Sequence, residues 1–72
     1  MTKEPALLIK KRAHKAMAEL DGLLGDIRSQ CSTEEFQIIK RGVGLSMGTI
    51  ITEILEPVYR QHPEIDDDLQ SS

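Results

Sequence analysis

Tryptophan is absent from the 72 residues, the aromatic residues are Phe36 and Tyr59, and Cys31 is the single cysteine. Two aromatics cannot build the stacking platform that single-stranded nucleic acid needs. A lone cysteine forms no internal disulfide, so stability must come from packing or association, and a reducing compartment is expected. Long apolar runs are missing too. The longest stretch without charge, Gly42 to Thr52, is eleven residues, whereas a membrane helix needs about 20. The first residues are polar and the run Ala6 to Ile9 is only four residues long, which is not the pattern of a secretory leader. Together these absences predict a cytoplasmic protein with no membrane contact. The length allows one small domain and excludes a dinucleotide fold, a barrel or a sandwich with a ligand crevice. With three prolines, five glycines and 39% hydrophobic residues, the chain is neither collagen-like nor wholly disordered.

Reactive chemistry is equally sparse. The segment Gly42-Val43-Gly44-Leu45-Ser46-Met47-Gly48-Thr49 superficially resembles a phosphate loop. A P-loop needs lysine directly before the Ser/Thr and a strand ahead of it; here Gly48 precedes Thr49 and residues 36–41 follow a helical pattern. The only histidines, His14 and His62, and the lone Cys31 have no zinc spacing. Glu53 and Glu56 lack the Glu-x-x-His partner of a carboxylate-bridged metal pair. Asp66, Asp67 and Asp68 lack the alternating ligands and glycine of a calcium loop. Cys31 or Ser32 as a nucleophile would need a histidine nearby, but His14 is about 25 Å away at helical rise. No enzyme activity, cofactor or metal is expected.

What is present is helical patterning. Ile9, Ala13, Ala16, Leu20, Leu23 and Ile27 recur at spacings of three and four, with Ala6, Met17 and Leu24 widening the stripe. Pro5 suits a first turn. This predicts a helix over about 5–30, through Gly22 and Gly25. Ser32 with Glu35 three residues on is a capping box, and Cys31 and Phe36 hold the positions of a hydrophobic staple. Glu34 and Glu35 suit the positive end of the helix dipole. A second helix is therefore predicted from 33. Its stripe, Phe36, Ile39, Val43, Met47, Ile50, Ile51, Ile54, Leu55 and Val58, keeps phase across Gly42, Gly44 and Gly48, so a continuous helix to about 61 is expected; the alternative is that three glycines in seven residues cut it in two, giving three helices in all. Pro57 should bend it or end it, and His62-Pro63 should stop it. Residues 63–72 read as a mobile acidic tail.

These elements predict an all-α fold, an antiparallel two-helix hairpin over 1–62. Two helices touch along one line and cannot cover stripes of about 120° and 160°. A hairpin this short is also marginal alone. The expected solution is a homodimer forming a four-helix bundle, with Val43, Gly44, Met47, Gly48, Ile51 and Leu55 at the interface. Gly44 and Gly48 lie on one edge of the second helix's stripe beside Leu55, and small residues four apart permit close backbones.

Charge is graded along the chain. Residues 1–15 carry +4, from Lys3, Lys10, Lys11, Arg12 and Lys15 against Glu4; residues 56–72 carry −4; the total is −3. Lys10, Lys11, Arg12, His14 and Lys15 form a candidate partner or nucleic-acid face opposite the apolar stripe. An antiparallel hairpin would set the acidic end beside this run, an alternative use for the charge. Val58, Tyr59 and Arg60 form a candidate partner patch, or simply close the open end against Leu7, Leu8 and Ile9. The expected role is that of a small non-enzymatic interaction or regulatory protein working through a homodimeric bundle surface. The alternatives are a nucleic-acid-associated regulator using the basic face, and an accessory subunit completed by a different protein. No motif is specific enough to assign a family.

Overall fold

The structure, a computed structural model, describes residues 1–65. All its regular elements are helical: α1 (Lys3–Ile27), α2 (Thr33–Thr49), a π-helical segment (Ile50–Leu55) and α3 (Glu56–Gln61). A further helical turn covers 63–65. The first helix starts two residues before the expected boundary and ends three residues early. Its C-terminus closes as a turn in which Gln30 N–H donates to Ile27 O at 2.9 Å and Gln30 Nε2 donates to Asp26 O at 3.0 Å.

The second start is built as its residues dictate. Glu35 N–H donates to Ser32 Oγ at 3.1 Å, and Ser32 N–H donates to a Glu35 carboxylate oxygen at 2.8 Å, so two otherwise unpaired amides are satisfied. The Ser32 amide first, and then the nearby Ser32 hydroxyl acting on the carboxyl itself, hold the Glu35 carboxyl below its ordinary range. Arg28 sits with its guanidinium carbon 5.5 Å from the Phe36 ring centre, so the end of α1 is fastened to the start of α2.

From Thr33 to Gln61 the backbone stays helical, with Thr49, Ile50, Leu55 and Glu56 all in the right-handed region. The three glycines do not interrupt it. The irregularity lies further on, in the turn before Pro57, where Glu56 N–H donates to Ile51 O, five residues back. Pro57 has no N–H to give, and in a regular helix its ring would collide with the carbonyl four residues earlier. A turn widened by one residue moves that carbonyl away and lets the helix continue.

The widened turn also rotates everything after it by about one residue, or about 100°. Leu55, at the stripe's edge in a regular helix, swings to the buried side and is 2% exposed.

α1 packs along α2, the π-segment and α3. Ala6, Val58 and Ile65 form a buried cluster with Ile9 and Tyr59 against it, while Ala13, Val43 and Leu55 are buried between the arms. Small residues on α1 thus meet large ones on the returning arm. The line of α1 that faces inward is Ala6, Ala13, Met17, Leu20, Leu24 and Ile27; Ala16 and Leu23, expected in the seam, are exposed. The periodicity was compatible with either flank of the stripe, and the position of Val58 and Leu55 selects the side carrying Ala6 and Ala13.

The expected acidic tail is corrected at its first residues. Pro63, Glu64 and Ile65 form the closing turn, with Ile65 N–H donating to His62 O at 3.0 Å and the Ile65 side chain fully buried. An isoleucine within reach of Ala6 and Val58 removes more apolar area from water than a mobile tail would. The rest of that segment, 66–72, lies outside the described residues.

Candidate functional site

The most distinctive surface is an open apolar groove of about 440 Å³ lined by Leu8, Ile9, Arg12, Ala13 and Ala16 of α1 and Ile54 of the π-segment. The widened turn creates it, because the rotation that buries Leu55 turns Ile54 outward, to 43% exposed. Beyond the residues that line the groove, Leu23 lies seven residues past Ala16 on the same face of α1, and Ile39 lies about four turns before Ile54 once the extra residue is counted; they are 40% and 41% exposed. An open apolar groove of this kind offers a contact surface for another apolar face.

The expected interface residues divide. Val43 and Leu55 are buried by the chain itself, Met47 is half-buried, and Gly44, Gly48 and Ile51 are exposed. Apart from the adjoining residues and the helix's own backbone, no atom of the described residues lies within 4 Å of where a Cβ would stand on Gly44 or Gly48. No side chain of α1 fills the glycine gap.

The five basic residues do not share one surface. Lys10 Nζ donates to Ile65 O at 2.9 Å, and His14 Nε2 lies 3.4 Å from the Tyr59 hydroxyl. Both residues are half-buried beneath the C-terminal segment. Arg12 lines the apolar groove. Lys11 and Lys15 are left on the outer side of α1, exposed. In the other candidate patch Val58 is 2% exposed within the Ala6–Ile65 cluster, Tyr59 packs against that cluster and only Arg60 is exposed. Leu7 and Leu8 are 39% and 54% exposed, so the cluster is closed by Ala6 and Ile9 from α1.

The structure gives His62 a role beyond that of a helix stop. Its Nε2 donates to Met1 O at 2.9 Å and its Nδ1 donates to a Glu64 carboxylate oxygen at 3.0 Å. Both partners can only accept, so the protonated ring, with a hydrogen on each nitrogen, satisfies both contacts at once. The Met1 carbonyl first, then Glu64, raise the His62 pKa above its ordinary value. The Glu64 carboxyl is lowered, first by its own backbone N–H and then by His62. No motif pointed to this bridge, because it depends on the two ends of the chain meeting.

Among the described residues no buried group is polar or charged, and no group of three or more His, Cys, Asp or Glu is placed to hold a metal ion. No helix among them is long and apolar enough to cross a membrane. Compared with protein-family models, curated proteins and solved structures, the chain matches none.

Proposed function

We propose that the protein is a small non-enzymatic interaction protein, a helical hairpin that associates with its own copy into a four-helix bundle and acts through the surface of that bundle. The observation that carries the reading is the exposed apolar groove between α1 and the π-segment. Burying a surface of that kind against a second apolar surface is favourable at about 25 cal/mol per Å², and helical hairpins pair readily into bundles.

Analytical ultracentrifugation of the purified chain across micromolar concentrations tests it. A reversible dimer supports the reading. A well-folded single copy at the highest concentration overturns it, and an aggregating chain rescued only by a different protein replaces it with an accessory-subunit role.

A further inference from the structure

We infer that two copies join face to face across the groove about a two-fold axis perpendicular to the helices, with Ala16 of α1 and Ser46 of α2 at its centre. The inference rests on the homodimer reading above and specifies its geometry.

The pattern along α1 is self-complementary about Ala16. Ile9 and Leu23 are seven residues to either side, on the same face. When one α1 lies antiparallel on another with Ala16 facing Ala16, Ile9 of each copy meets Leu23 of the other. The small residue lets the backbones approach where the helices cross. The charges along the groove's edge follow the same symmetry. Arg12 is four residues before Ala16 and Glu19 three after, so Arg12 of one copy lies beside Glu19 of the other, twice over. Both side chains are exposed, and neither forms an ion pair with another described residue.

The second arm has the same centre. Ala6 packs with Val58, and ten residues of α1 span about 15 Å, which, with the extra residue of the π-segment, brings Ala16 abreast of Met47, the neighbour of Ser46. Ile39 and Ile54 lie seven and eight residues from Ser46. The π-segment supplies the additional residue, so they stand about equally far from it. A two-fold at that level sets Ile39 of one copy against Ile54 of the other, again with a small residue between. Two arms with independent sequences thus point to one axis, and opposite charges meet across it. Along the Gly44–Gly48 edge Ile51 remains exposed, but Leu55 has turned inward.

Cysteine capture and charge exchange test the geometry. In a Cys31→Ser background, Ala16→Cys should oxidise to a covalent dimer, because a residue on a two-fold axis meets itself; Gly48→Cys in the same background should not. Arg12→Glu and Glu19→Arg should each weaken dimerisation about tenfold, since two exposed ion pairs become two repulsions. The double exchange should restore it. Both positions are exposed, and circular dichroism confirms that the variants keep their helices. Capture by Gly48→Cys and not Ala16→Cys, or single charge reversals without effect, would overturn this geometry while leaving the dimer intact. A single copy at all concentrations would remove the dimer as well.

Discussion

Glu56 donates its backbone N–H to the carbonyl of Ile51, five residues back where a regular helix reaches four. The π-segment that this bond closes, Ile50–Leu55, decides which isoleucines and leucines the molecule hides. It ends just before Pro57, and from it follow the burial of Leu55 and the outward turn of Ile54.

The two neighbours should therefore respond differently to truncation. Leu55→Ala should cost about 3 kcal/mol in urea unfolding, the usual range for a buried leucine. Ile54→Ala should cost below about 1 kcal/mol in the single copy, while weakening self-association. Equal losses of stability at the two positions would mean that the turn is not widened.

Ile65 separates a closing turn from a tail. Ile65→Ala should destabilise by about 2–4 kcal/mol, as for other fully buried isoleucines. A mobile residue would give no measurable change in the thermal midpoint.

The helical glycines have open space around them. Gly44→Ala and Gly48→Ala should each stabilise the chain by about 0.5–1 kcal/mol, through reduced freedom of the unfolded state. Thermal unfolding reads the gain. Sedimentation in the same samples should show association unchanged, whereas a close contact between glycine edges would be weakened by the added methyl groups.

The capping box should be worth about 1 kcal/mol on Ser32→Ala, and only a few tenths on Ser32→Gly. Because the Glu35 carboxyl is lowered in the fold, its contribution is present above the unfolded value and lost as pH falls through the lowered one.

The His62 bridge has the opposite dependence on its basic side. A raised imidazole contributes stability fully below its unfolded value, and loses it as pH rises through the folded value. The lowered Glu64 carboxyl adds stability that disappears as pH falls through its folded value. The bridge should accordingly hold the closing turn fully between pH 4.5, the ordinary carboxylate value, and 6.5, the ordinary imidazole value, and weaken as pH moves beyond the folded values on either side. NMR titration of the His62 ring should give a midpoint above 6.5. Protection of the Ile65 amide from hydrogen exchange should fall on its alkaline side, once intrinsic exchange is corrected for pH; a midpoint below 6.5 would refute the bridge.

Local chemistry was legible from the residues alone. Ser32 and Glu35 specify a helix start without help from the remainder of the chain, and spacings of three and four made both arms helical through their glycines. These features depend on atoms within one or two turns, so a linear reading reaches them. Pro57 announced a disturbance without revealing its form: a kink, an end and a widened turn all answer a missing N–H. Tertiary packing made that choice, and with it placed Leu55 inside and Ile54 outside. The inward line of α1 was settled in the same way. Its stripe is wide enough for either flank to serve, and Val58, Leu55 and Ile65 fit against the alanines at 6 and 13. Periodicity fixes which residues share a side of a helix, whereas the neighbour that arrives from far along the chain fixes which side is covered.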